Sequence, residues 1–144
     1  MADSVGIDLK IVWFDDDMLE LQVTAKNGLF AGKTTFYDSF ECIKDLANHM
    51  AGFPTTSTDV RKFALGETDL DGHGGVSFTL NCADKLGHLN LEVLIIGNDR
   101  KFRGMVESSK LCIPVEPAAI DSFVDQLQKM KLRVGDAARI SLNN

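Results

Sequence analysis

The sequence predicts an α+β fold, in which an antiparallel β-sheet built from hairpins carries two amphipathic α-helices on one face. Three observations support this prediction. Several short segments alternate between apolar and polar residues, which is typical of strands with one buried face. Two other segments have apolar residues at helical spacing. The connections between neighbouring strands are short, and short connections join antiparallel strands.

The N-terminal part of the chain predicts a short strand followed by a hairpin. Residues 9–14 are mostly apolar and end at an acidic run at residues 15–17, and the alternating pattern begins at Met18. Asn27-Gly28 is typical of a two-residue type I′ turn, because both positions of that turn need positive φ. We therefore expect the return strand over residues 29–37, with Ala25 opposite Phe30.

The first helix is predicted over residues 40–50. Asp38 is its expected N-cap, with Glu41 at position N3, in a variant of the capping box. Gly52 and Pro54 end the helical pattern.

The middle of the chain predicts a second set of strands. They are expected at residues 60–65, 76–82, 88–95 and 106–115, with a turn at residues 98–101. Matching the apolar faces places residue 78 opposite residue 91, across a four-residue loop. The last of these strands is expected to be central in the sheet.

The second helix begins at Pro117, which suits position N1. Its apolar stripe consists of Ile120, Phe123, Val124, Leu127 and Met130. Residues 132–144 are expected either to add an edge strand at residues 138–142 or to fray. Because the chain has no repeat or linker, we expect one domain over residues 1–144.

Composition limits the possible partners and the compartment. Fifteen basic and 21 acidic residues give a net charge of −6, which disfavours nucleic-acid binding and serves solubility or attraction to a basic protein partner. Cys42, Cys82 and Cys112 are widely spaced in apolar segments, where free cysteines behave as small core residues. The chain shows neither a signal peptide nor a membrane span, so we expect a cytoplasmic protein.

Familiar chemical signatures match poorly. The segment from Asp69 to Gly75 starts like a calcium loop, but His73 and Leu80 occupy the fifth and twelfth ligand positions, so a glycine-rich turn is the preferred interpretation. No zinc spacing or phosphate loop is present, and no metal or cofactor is expected. Alternation places Cys82 and His88 on opposite faces of their hairpin, which argues against a catalytic dyad.

Two surfaces are candidate binding sites. One is a polar face shared by two neighbouring strands, formed by Ser77, Thr79, Asn81, His88, Asn90 and Glu92. This face is either solvated or a flat recognition surface, or it contains a site built from His88 and Glu92. The other surface is formed by Trp13, Asp15, Asp16 and Asp17, and it would suit a basic protein partner. Its alternative is an acidic turn after a buried edge strand.

The order of elements resembles a group of small bacterial proteins of unknown function, some of which are similar to immunity proteins of toxin systems. The matching stretches are residues 19–25, 40–53, 71–76 and 114–117, and the resemblance spans roughly residues 18–130. It implies no catalytic residues. It favours a non-enzymatic binding protein, such as an immunity-type inhibitor. A homo-oligomeric structural module, or a small enzyme or ligand-binding protein with a sheet–helix pocket, remain alternatives.

Overall fold

The computed structural model describes residues 5–68, 73–98 and 106–142, and it confirms the predicted α+β fold with antiparallel pairing. The described residues form eight strands and two helices. Their bounds are β1 Val5–Phe14, β2 Leu19–Lys26, β3 Ala31–Asp38, α1 Cys42–Met50, β4 Arg61–Gly66, β5 Gly75–Cys82, β6 Leu89–Ile96, β7 Ser108–Val115, α2 Pro117–Lys129 and β8 Ala137–Leu142.

The strands are divided between two four-stranded sheets. The first has the order β3-β2-β1-β8 and the second the order β4-β5-β6-β7. The C-terminal strand β8 lies at an edge of the first sheet. This confirms the first of the two expectations for the tail, that it adds an edge strand. Two other expectations were wrong: β1 is internal, between β2 and β8, and β7 is an edge strand. Alternation identifies the buried face of a strand, but the order of strands is set by packing between distant segments.

The two sheets meet where β3 crosses the ends of the second sheet's strands. Thr34 Oγ1 donates a hydrogen bond to the carbonyl oxygen of Ile96 over 2.7 Å. Farther along β3, Asp38 Oδ2 accepts a hydrogen bond from the backbone N–H of Gly66, also over 2.7 Å. Gly66 has a φ of +68°, and a Cβ there would lie 2.6 Å from the Phe36 ring, so only glycine allows this close approach.

Both sheets and both helices contribute to one hydrophobic core. The helices pack against each other, α2 also packs on β8, and α1 packs on β4. The apolar stripe of α2 is buried at Ile120, Phe123, Val124 and Leu127. Cys42 lies in the core, but Cys112 is exposed, contrary to expectation, because it alternates with the inward-facing Leu111 and Ile113.

The predicted hairpin registers are wrong by two residues, for the same reason in both hairpins. Asn27 Oδ1 accepts hydrogen bonds from the backbone N–H groups of Leu29 and Phe30, over 3.0 and 2.8 Å. This side-chain cap extends the turn to four residues, so Ala25 faces Gly32.

In the β5–β6 hairpin, Asp84 Oδ1 caps the turn in the same way, with its nearest donor the N–H of Leu86 over 2.7 Å. Phe78 consequently faces Val93. Because a shift of two residues preserves the side-chain face, the expected assignment of buried and exposed positions still holds.

The predicted cap of the first helix is also wrong. Asp38 ends β3 and binds Gly66, while Glu41 occupies the N-cap position without a side-chain hydrogen bond. A residue with a strong capping propensity has been used instead to join the two sheets. The prediction for α2 is confirmed, with Glu116 at the N-cap and Pro117 at N1. Residues 69–72 of the glycine-rich segment and residues 99–101 of the expected turn lie outside the described residues.

Candidate functional site

An exposed row of side chains crosses the outer face of the first sheet beside the β1–β2 turn. Trp13 lies opposite Glu20, and Glu20 lies opposite Tyr37. Alternation places Met18 on the same face as Glu20. Trp13, Met18 and Tyr37 are 42%, 38% and 44% exposed. We call these four residues the Trp13 surface.

The two rings of the Trp13 surface contact each other. The ring centroids of Trp13 and Tyr37 are 5.9 Å apart, and the ring planes lie at 88°. This edge-to-face geometry is favourable for aromatic pairs and restricts the orientation of the indole. Of these four residues, only Trp13 was predicted from the sequence. Glu20 and Tyr37 belong to other strands, and Met18 lies just before β2, so only the strand pairing brings them beside Trp13.

A β-bulge places Trp13 on the exposed face. Ile11 faces Leu21 and is fully buried, whereas Trp13 faces Glu20, so the register shifts between the two. In a regular strand Trp13 would share the buried face with Ile11, because residues two apart point to the same side. Bulges re-aim side chains and are common near functional sites. The alternative of a buried edge strand is therefore wrong for this segment, since β1 is internal and Trp13 is exposed.

The acidic run forms the turn next to this surface. Asp15 Oδ1 accepts hydrogen bonds from the backbone N–H groups of Asp17 and Met18, over 2.8 and 2.9 Å. Asp15 is thus a turn residue, and its role is structural. Asp16 and Asp17 are exposed, and they add negative charge beside the aromatic row.

The opposite end of the same outer face is basic. Lys26 and Lys33 lie on this face at that end, and Arg139 of β8 joins them. Lys10 lies on the same face but opposite Gln22, next to the Trp13–Glu20 pair. Arg139 Nε donates to Asp8 Oδ2 over 2.7 Å. The outer face of the first sheet therefore has an acidic, aromatic end and a basic end.

The predicted polar face of the second sheet is present but has a different character. Thr79 faces Glu92, and Asn81 faces Asn90, so four of the expected residues are cross-strand neighbours. Ser77 is 6% exposed and lies opposite Leu94 rather than another polar residue. Glu92 Oε1 lies 3.3 Å from Lys110 Nζ of β7. These are short side chains on a flat face.

His88 and Glu92 do not form a joint site. They lie four residues apart on one side of a strand, a distance of about 13 Å. His88 Nδ1 instead lies 2.6 Å from Asp84 Oδ2 in the hairpin turn. The hydrogen bond and the charge of Asp84 raise the pKa of His88 above 6.5, and Glu116 adds to this effect. The pKa of Asp84 is lowered, chiefly by the N–H of Leu86 and then by His88.

Among the described residues, no cysteine thiol is hydrogen-bonded to a histidine. Burial raises the pKa of Cys42 to about 12, which keeps its thiol protonated. Cys82 Sγ donates to the carbonyl oxygen of Thr56 over 3.7 Å and is not bonded to His88. Cys82 and Asp84 border an open cleft of about 270 Å³.

Residues 5–68, 73–98 and 106–142 contain no group of three or more His, Cys, Asp or Glu side chains able to hold a metal ion. A cleft of about 260 Å³ lined by residues of β1, β2 and β8 is smaller than the usual ligand pocket. In the same residues, no helix is long and apolar enough to cross a membrane.

Comparison with known proteins gives little guidance. No family model matches the chain, and no curated protein matches it. Among solved structures, the plant transcriptional regulator PBF-2 is 13% identical, with the match covering 89% of this chain and 80% of that chain. Its TM-score of 0.46 is too low to support an argument about fold or function.

Proposed function

We propose that this protein is a cytoplasmic, non-enzymatic binding protein that contacts a basic protein partner through the Trp13 surface. The observation that carries the proposal is the bulge between Ile11 and Trp13, which places a tryptophan on the solvent-facing side of a sheet. Three free cysteines agree with a reducing compartment.

The composition of the surface supports a protein partner. Tryptophan and tyrosine are enriched among the residues that dominate binding energy at protein interfaces. Exposed tryptophan and tyrosine side chains are unfavourable without a partner, because their large apolar area stays in contact with water. Glu20 lies between the two rings in the strand pairing, and Asp16 and Asp17 lie in the adjacent turn. These carboxylates favour a basic partner by charge complementarity. An immunity-type inhibitor of a toxin would be one protein of this class.

Self-association through strand edges is less well supported, because several edges are covered. Gln126 of α2 accepts a hydrogen bond from the N–H of Arg139 and donates one to its carbonyl oxygen, both over 2.9 Å, and so occupies the edge of β8. At the edge of β7, Asn27 Nδ2 donates to the carbonyl oxygen of Cys112 over 3.1 Å. Pro114, two residues on, removes a further edge-facing donor.

A small-molecule site is also less well supported. The Asp84–His88 pair could act as a proton acceptor, but among the described residues neither a hydroxyl nor a thiol is hydrogen-bonded to His88. The neighbouring cleft of about 270 Å³ is open rather than enclosed. A protein interface needs no such pocket.

The proposal is tested with paired baits. The wild-type chain, Trp13→Ala and Thr79→Ala are used to enrich proteins from the native host, and any protein that prefers the wild type over Trp13→Ala is purified and titrated by calorimetry. We expect Trp13→Ala to weaken binding at least tenfold and Thr79→Ala, on the second sheet's outer face, to change it less than twofold. Equal binding of Trp13→Ala and wild type, or the absence of any Trp13-dependent partner, would refute the proposal.

A further inference from the structure

We infer that the Trp13 surface binds an arginine side chain of its partner, with the guanidinium stacked on the indole of Trp13 and paired with the carboxylate of Glu20. This inference rests on the proposed function and specifies the partner residue that the surface recognises. It follows from three features: the row of residues across three strands, the lack of an ion pair at Glu20 among the described residues and the charge of the neighbouring turn.

The first feature is the position of Glu20 between two exposed rings. Trp13, Glu20 and Tyr37 are direct cross-strand neighbours on β1, β2 and β3. Neighbours of this kind have Cβ atoms about 5 Å apart, so the carboxylate can reach a group that rests on either ring. Trp13 keeps 42% of its surface exposed while its contact with Tyr37 is made, which leaves indole surface for a ligand.

The second feature is that Glu20 forms no ion pair with any other described residue. The other acidic residues on the outer faces of the two sheets are paired: Asp8 with Arg139 over 2.7 Å, and Glu92 with Lys110 over 3.3 Å. The carboxylate that lies in the aromatic row is therefore the one available to an external cation.

The third feature is the charge of the β1–β2 turn. Asp15, Asp16 and Asp17 are all exposed, so the turn carries three negative charges, although Asp15 Oδ1 also accepts hydrogen bonds from backbone N–H groups. This charge attracts a cation towards the row and disfavours an acidic ligand.

Arginine fits this geometry better than lysine or an apolar residue. Its planar guanidinium stacks on aromatic faces while its N–H groups pair with a carboxylate. Lysine presents a compact, strongly hydrated charge, which stacks less well. An apolar side chain would cover the rings but would desolvate Glu20 without pairing it, which is unfavourable.

The chain allows a direct test, because Trp13 is its only tryptophan and its fluorescence reports on this site alone. The purified protein is titrated at low salt with the peptide acetyl-(Gly-Arg)3-amide, and with matched peptides in which lysine, glutamine or leucine replaces arginine. We expect a saturable change in Trp13 emission with the arginine peptide, at least threefold weaker binding of the lysine peptide and no saturation with the glutamine peptide. Raising the salt concentration should weaken binding.

Two matched variants separate a specific site from general attraction. Glu20→Gln should weaken binding of the arginine peptide at least threefold, whereas Glu92→Gln, which removes the same charge from the second sheet, should change it less than 1.5-fold. An equal effect of the two variants would indicate only net-charge attraction and would overturn the inference. Equal binding of the leucine or lysine peptide would overturn the choice of arginine. Either result leaves the proposed function standing, because that depends separately on the effect of Trp13→Ala on the partner.

Discussion

The two sheets share one core but differ on their outer faces. The outer face of the second sheet has short polar side chains, such as Thr79, Asn81 and Asn90, and a surface ion pair between Glu92 and Lys110. The first sheet has an exposed aromatic row at one end and a basic group at the other. Both outer faces contact water, so polar side chains alone would be enough to keep either face solvated. The aromatic row distinguishes the first sheet, and the proposed binding function rests on it.

The largest loss of stability should come from mutations in the hydrophobic core, to which both sheets contribute their buried faces. Leu21 of the first sheet and Leu91 of the second are both fully buried in the same core. We expect Leu21→Ala and Leu91→Ala each to lower the free energy of unfolding by about 2–5 kcal/mol, through lost burial and the cavity left behind. Chemical denaturation followed by circular dichroism should show one transition in each variant. Two separated transitions would show that the sheets unfold independently, and would contradict the description of one core shared by both sheets.

A smaller effect should appear where α2 covers the edge of the first sheet. Gln126→Ala removes both hydrogen bonds to Arg139, and we expect it to lower the free energy of unfolding by about 1 kcal/mol. Thermal unfolding measures the change, with Gln22→Ala on the outer face of β2 as the matched control. Light scattering at increasing concentration shows whether the uncovered edge promotes association. Equal stability of the two variants would mean that the helix does not protect this edge.

The smallest expected effect concerns two turns, one in each sheet, that are both capped by an aspartate side chain. Asp15 caps the β1–β2 turn, whereas Asp84 caps the β5–β6 turn and also binds His88. We expect Asp84→Asn to lower the pKa of His88, because the mutation removes the negative charge of Asp84 and leaves only one of its two acceptor oxygens. Proton NMR of the imidazole as a function of pH measures this value, and an unchanged pKa would contradict the assigned cause.

The same pair predicts a pH dependence of stability in the second sheet's hairpin. The contribution of His88 is present below its ordinary pKa of 6.5 and is lost as pH rises through its higher folded value. The contribution of Asp84 is present above 3.8 and is lost as pH falls through its lower folded value. The pair therefore stabilises the fold most between these limits, and Asp84→Asn should flatten the pH profile there.

Sequence patterns were most informative where the physics is local. The apolar stripe of α2 and the alternation in β5 and β6 depend on a few neighbouring residues, and both were predicted correctly. The hairpin registers were wrong by two residues because Asn27 and Asp84 bond backbone N–H groups and lengthen their turns. Asp38 was predicted to cap a helix, because the local sequence shows only its capping propensity. Its actual role, a hydrogen bond that joins the two sheets, depends on Gly66, 28 residues away.

The features of the candidate site also separate into those set by local sequence and those set by tertiary packing. The sequence by itself determined that Trp13 lies beside an acidic run, that the chain is acidic and that strands have one buried face. Only the tertiary structure placed β1 inside a sheet, re-aimed Trp13 through a bulge and brought Glu20 and Tyr37 beside it. The physical reason is that a strand's own residues specify which side is apolar, whereas its neighbours are chosen by the packing of the whole core. The Trp13 surface is a product of that choice.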